Sequence, residues 1–310
     1  MPRTISLAAY AVKIWNPSDG DYEYLSNFDG EGSDLLDFMR EVLTAIKTKT
    51  LDEEAIQHAL SVAKLEEGER RLSGTIRTGA YGFESDLINR KTSKLSYKRT
   101  KDDAEMLPFY FQCDVPEGVE DGILILQRTA TFGIRKVVHW VLDTAFSNKH
   151  PEFKLHLQPL VPEAEVNKFI KGKVQKIHFI RKGIPADLAD AYDKGHKAVP
   201  GTMELVVKAR KGSNLPLNSF VNRVFKSKEV GSILALGGGE KFSYENVKVQ
   251  VKVGRATRTV NAAAPERIRS YFDITEQVTI GRDGHPEYNS LKEEAEKLSA
   301  ELRAVFYGAA

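Results

Sequence analysis

Glu204 and Lys208 stand four residues apart in Met203–Ala209, which reads as a strand, so both side chains fall on one face. A carboxylate beside a lysine is part of the equipment of a metal-dependent nuclease, which also needs further carboxylates converging on the metal. No aspartate upstream is placed to complete such a set, so an ion pair on a sheet face is the expected role of the two residues. Gly237-Gly238-Gly239-Glu240-Lys241 resembles a phosphate-binding loop, but that loop has four residues between its glycines and Ser or Thr directly after the lysine, whereas Phe242 follows Lys241 here. What remains is a glycine-rich surface loop whose backbone N–H groups can approach phosphates closely. The seven histidines fall in none of the spacings of a zinc site, and Cys113 is the sole cysteine, set in the apolar run Phe109–Val115. That excludes an intramolecular disulfide and predicts a buried core thiol. No Gly-x-Ser-x-Gly elbow occurs. The residues predict no metal, no cofactor and no enzymatic activity.

Charge is the stronger signal. The formal total is only +2, yet Pro151–Val260 holds 20 Lys and Arg against 10 Asp and Glu, with aromatic residues such as Phe179, Phe220 and Tyr244 interleaved. Met1–Glu66 runs the other way, with 6 basic and 12 acidic side chains. Clustered cations repel one another unless a polyanion or solvent screens them, and nucleic acid fits such a surface better than anionic lipid does. The first choice for phosphate contacts is Lys248, Lys252, Arg255 and Arg258, on two segments that read as a hairpin, because a two-stranded ribbon can lie along a groove. Lys208, Arg210 and Lys211 come second, with Lys173, Lys176 and Lys241 beside them. No recognition helix or RNA-binding signature is visible, so duplex DNA is expected to be held by shape and phosphate rather than by base sequence.

The elements that must carry these residues can be read from periodicity. Thr4–Trp15 predicts a strand closed by the turn Asn16–Gly20. Ser33 is placed to cap a helix carrying Leu35, Leu36, Met39, Val42, Leu43 and Ile46, and a second helix is expected over Asp52–Leu65. From Arg70 the period changes to two: Leu72–Thr78, Leu95–Tyr97, Pro108–Val115 and Gly122–Arg128 read as strands, followed by a helix over Ile134–Phe146. Lys149-His150-Pro151 is the expected boundary, since proline disfavours helix before it and the charge balance changes there. Beyond it, strands are expected over Phe153–Leu160, Lys173–Arg181 and Met203–Ala209. Helices are expected over Pro162–Ile170, Ala186–Tyr192 and Leu215–Phe225. Asn246–Val253 and Arg255–Asn261 form the hairpin about Gly254, and an amphipathic helix over Tyr288–Tyr307 is expected to dock on its own domain. The fold class is therefore α+β in two domains, each a mixed or antiparallel sheet with packed helices. Residues 1–150 form an acidic regulatory or partner-contact domain, and residues 151–310 a basic DNA-binding and dimerisation domain. No run approaches the length of a membrane span and no signal layout opens the chain, so it is expected to stay in the cytoplasm.

Over Phe153–Tyr192 the chain resembles the RexA-like exclusion proteins of phage lambda and bacterial anti-phage systems. The strand ending in Gln158-Pro159-Leu160, a short helical insert, the strand Val174-Gln175-Lys176-Ile177-His178-Phe179-Ile180 and the helix after Pro185 follow in that family's order. The resemblance implies a two-domain cytoplasmic homodimer that binds double-stranded DNA with little sequence preference and acts as an infection sensor in abortive infection, reporting to a membrane-protein effector encoded nearby. It transfers no catalytic residues. The DNA-binding subunit of the Kiwa defence system is similar in the same respects. A defence nuclease and a protein-interaction module without DNA are the alternative readings.

Overall fold

The computed structural model of the chain describes residues 4–48, 51–53, 57–160, 173–184, 199–216, 219–220, 232–236, 240–253, 256–261 and 271–307. It divides into two compact units, Met1–Leu160 with Tyr271–Ala310, and Val161–Ser270. The first unit begins with β1 (Ile5–Asn16), β2 (Asp21–Tyr22), α1 (Leu35–Thr48), β3 (Leu51–Glu53), β4 (His58–Gly68) and β5 (Arg71–Ala80). It continues with β6 (Ser85–Ile88), β7 (Leu95–Arg99), β8 (Leu107–Asp114), β9 (Asp121–Thr129), β10 (Phe132–Gly133), α2 (Arg135–Lys149) and β11 (Lys154–Pro159). The second unit contributes β12 (Lys173–Ile184), β13 (Val199–Lys208), β14 (Ser232–Leu236), β15 (Glu240–Tyr244), β16 (Asn246–Val253) and β17 (Ala256–Asn261). The chain then returns to the first unit as β18 (Tyr271–Asp273) and α3 (Tyr288–Phe306). All strand pairs described are antiparallel, and with the helices they make an α+β protein.

The first unit is built on a sheet in the order β11-β1-β9-β8-β5-β4-β3. Because side chains alternate across a strand, β1 feeds two cores: Ala8, Tyr10, Val12 and Ile14 face the side covered by α1 and α2, while Ile5, Leu7, Ala9 and Ala11 face the side covered by α3. That double burial explains why β1 reads as an almost unbroken apolar run. Helix α3 sets Leu291, Ala295, Leu298 and Leu302 on Ile123 and Ile125 of β9, and polar contacts fix its position. Buried Asp114 accepts hydrogen bonds from Gln112 Nε2 at 2.6 Å and Ser299 Oγ at 2.8 Å and pairs with Arg71, which also reaches Glu296 at 3.0 Å. Glu66 bridges Lys64 (2.7 Å) and Lys292 (2.8 Å), and the Lys64 ammonium lies 3.5 Å from the Tyr288 ring centre. Among the described residues no helix is long and apolar enough to cross a membrane.

Three sequence expectations change here. The helix over Asp52–Leu65 is instead β3 and β4. A register shift between Val62 and Lys64 breaks strict alternation, and the pairing of β4 with β5 from His58↔Ala80 to Gly68↔Arg71 overrides the helical reading. Asp34, not Ser33, caps α1, its Oδ1 accepting the Leu36 N–H at 2.7 Å while Oδ2 pairs with Arg70 at 2.6 Å. Lys149–Pro151 does not divide the units: β11 pairs with β1 from Tyr10↔Pro159 to Trp15↔Lys154, and α3 covers the first sheet rather than the basic part of the chain. The expected helices over Pro162–Ile170 and Ala186–Tyr192, and most of that over Leu215–Phe225, lie outside the described residues.

Candidate nucleic-acid interface

The second unit holds a four-stranded sheet in the order β13-β12-β16-β17. One face is apolar. Val174, Ile177 and Phe179 of β12 and Val247, Val249 and Val251 of β16 are buried, and the Phe179 ring packs against Tyr244 (5.0 Å between centroids) and Phe220 (5.7 Å). Since neighbours in register share a face, the pairings fix what lies on the other side. Lys176 stands opposite Lys208, Lys182 opposite Thr202, His178 opposite both Val206 and Lys248, and Lys173 opposite Lys252. Six lysines, Lys173, Lys176, Lys182, Lys208, Lys248 and Lys252, therefore share this face with His178 and Gln250, and all are exposed or half-buried.

A bulge makes this possible. Lys173 and Lys176 are three apart and would point to opposite faces of a regular strand, but the register shift between Val174 and Lys176 returns both to the lysine face and keeps Val174 and Ile177 in the core. The backbone around it is tied down: Gln175 accepts the Ala209 N–H at 2.9 Å, and its side chain donates to Asn214 Oδ1 at 2.6 Å.

The single carboxylate described on this face, Glu204, accepts from or pairs with His178 Nδ1 at 3.2 Å, and not with Lys208 as the strand spacing led us to expect. In register Glu204 lies opposite Ile180, two pairs along from His178 and on the same face, within diagonal reach. Among the described residues none of the six lysines forms a salt bridge, and no three His, Cys, Asp or Glu side chains converge as a metal site would require. Two Lys–Lys pairs directly opposite each other, with His178 against Lys248, form an arrangement that costs a sheet stability, roughly 0.2–1 kcal/mol per like-charged pair.

Not every expected cation joins this face. Lys248 and Lys252 stand opposite Asn261 and Thr257, whereas Arg258 stands opposite Val251 and so falls out of their row; hairpin residues of odd and even register do not share a face. Gly254 and Arg255 lie outside the described residues. Lys241 belongs to β15, which pairs with β14 in a separate two-stranded sheet, Ala235↔Lys241. Arg210 and Lys211 are exposed in the turn after β13, where the Ser213 N–H donates to Arg210 O at 2.9 Å and Gly212 takes φ +84°. Lys182 and His178 were outside the first and second choices; the cross-strand register that selects them is invisible to a reading of one strand at a time. Cys113 is fully buried, and burial pushes its thiol far above the ordinary range.

Comparison of the chain with protein-family models, with curated proteins and with solved structures finds no match.

Proposed function

We propose that this protein binds double-stranded DNA through the lysine face of the β13-β12-β16-β17 sheet, by its phosphates and with little sequence preference. The observation that carries the proposal is the pairing of Lys176 with Lys208 and of Lys173 with Lys252, like charges held side by side on an accessible surface. A row of phosphates converts that repulsion into attraction, and the released counterions supply the free energy. The sheet is roughly 14 Å across from the 4.7–4.9 Å strand spacing, and a duplex presents one phosphate charge about every 1.7 Å of its axis, so several phosphates lie within lysine reach. A pleated face with lysines and no bidentate arginine reads the backbone rather than base edges. Arg210 and Lys211, in the turn beside Lys208, extend the same surface. The resemblance to RexA-like proteins extends the proposal to a cytoplasmic homodimer that senses phage DNA and acts with a membrane effector.

The test replaces Lys173, Lys176, Lys208, Lys248 and Lys252 together by alanine and measures binding to two duplexes of unrelated sequence over a salt series. Both affinities should fall alike, and the log–log salt slope should flatten by roughly 4 to 5, at about 0.9 per contact. Unchanged affinity removes the lysine face from the interface. Cleavage of plasmid in Mg²⁺ that disappears in Glu204→Ala would replace the sensor with a nuclease.

A further inference from the structure

The first unit carries an arm that the overall charge count hides. Among the described residues strands β6 and β7 pair only with each other, as a hairpin with Leu87↔Tyr97 and Ile88↔Leu95 on either side of a register shift, and every residue from Asp86 to Lys98 is exposed. Its foot is anchored. Arg99 is buried, donates to Asp103 O at 2.9 Å and to Ala80 O, and stacks its guanidinium 4.2 Å from the Phe83 ring centre, while the Gly82 N–H donates to Lys101 O at 2.8 Å. Its tip is shaped: Asn89 N–H donates to Lys94 O at 2.9 Å, and the Asn89 side-chain oxygen accepts from Lys91 N (2.9 Å) and Thr92 N (3.1 Å).

Two features of the arm demand a partner. Arg90, Lys91 and Lys94 crown the tip without an ion pair among the described residues, and Asp86 is the one carboxylate between Ser85 and Arg99. Behind the tip, Leu87, Ile88, Leu95 and Tyr97 are each about half exposed (48%, 53%, 55% and 50%). Leu87 and Ile88 are adjacent in β6 and so point to opposite faces, and the register shift between them sets Tyr97 opposite the first and Leu95 opposite the second, which places an apolar pair on each side of the ribbon. A flat partner would cover only one of those sides. A bilayer would have to take in the cations of the tip before it reached the apolar pairs, which is costly. A second copy of the arm would bring like charges together.

The geometry points to the β6–β7 arm as a second duplex-DNA contact, inserted into the major groove, with Arg90, Lys91 and Lys94 on the flanking phosphates and the apolar pairs against the groove walls. The major groove is about 12 Å wide and about 8.5 Å deep and admits a two-stranded ribbon, whereas the minor groove at about 6 Å does not, and four residues of strand reach roughly 13 Å. Apolar side chains there meet thymine methyl groups. This site uses none of the lysines of the second unit's sheet and stands or falls separately from them.

The test measures binding of the full chain to a short labelled duplex over a salt series, with Arg90, Lys91 and Lys94 all changed to alanine, and separately with Leu87→Ser and Leu95→Ser. All five side chains are exposed, and melting curves check that the variants fold. The triple change should weaken binding at least about tenfold at low salt and flatten the salt slope by about 3. The serine changes should weaken binding to thymine-containing duplexes and leave the slope unaltered, and methyl green, a major-groove ligand, should compete where netropsin, a minor-groove ligand, does not. Unchanged affinity and slope in the triple variant would overturn the inference, as would arm-dependent binding to phosphatidylserine vesicles, or arm-dependent self-association, in place of DNA binding. Alanine at Lys176, Lys208 and Lys248 is measured alongside. Loss there with none in the arm removes the arm and keeps the sheet, and the reverse pattern keeps the arm and removes the sheet.

Discussion

Lys208→Glu separates a functional surface from a merely basic one, because it should move stability and affinity in opposite directions. Lys208 is exposed and directly opposite Lys176, so the change meets no steric obstacle and turns a like-charged cross-strand pair into an opposite one. Removing about 0.2–1 kcal/mol of repulsion and gaining a similar attraction gives a stabilisation of roughly 0.4–2 kcal/mol at low ionic strength. The gain should shrink by 1 M salt, where the screening length falls to about 3 Å. Binding should change the other way. A slope of −0.9 per phosphate contact corresponds to about eightfold in affinity at 0.1 M salt relative to 1 M, so losing one contact and adding one repulsion costs between about eightfold and 60-fold. Urea unfolding at low and high salt gives the first quantity and gel shift the second. A variant that is less stable at low salt, or equally tight on DNA, would refute the reasoning.

Asp114→Ala leaves Arg71 with Glu296 as its one ion-pair partner among the described residues and strips Gln112 and Ser299 of a buried acceptor, and it should destabilise the first unit by about 3–5 kcal/mol, read as a lower urea midpoint. Hydrogen bonds from Lys292 and Lys64 hold the Glu66 carboxyl at about 2, below its usual 4.5; a depressed acid contributes stability that is fully present above pH 4.5 and lost as pH falls toward 2. Acid unfolding should therefore be flatter over that window in Glu66→Gln, and an unchanged profile would count against the bridge. In Gly74→Ala the new Cβ would overlap the Lys64 carbonyl oxygen and lie 2.9 Å from the Phe111 ring, and the strands must part; a loss of about 1–3 kcal/mol is expected, and a wild-type midpoint would contradict the packing.

Much of the architecture was legible from periodicity, since β1, α1, α2, β5, β8, β9 and α3 each keep an unbroken pattern over eight or more residues. What escaped detection was set by pairing partners. Strand β4 hid behind a bulge at Val62–Lys64, and β6, with no buried apolar face, has no alternation to find. Helix α3 shows an apolar stripe but not which sheet it covers; the return of the chain to the first unit depends on contacts with β9 far away in sequence. The cations of the candidate site were visible as a surplus, yet their grouping was not. The bulge that gathers Lys173 with Lys176, and the register that sets Arg258 opposite Val251, belong to strand pairing rather than to either segment alone. The same averaging concealed the basic arm inside an acidic half.

The dependence of duplex affinity on salt tests the central claim most directly. With five or six lysines of one sheet face on phosphates, that face alone should give log affinity against log salt a slope of about −4.5 to −5.5, alike for unrelated sequences, and the three cations of the arm should steepen it by about 3 more. No retarded band in dilute buffer, or a slope near zero, would contradict it.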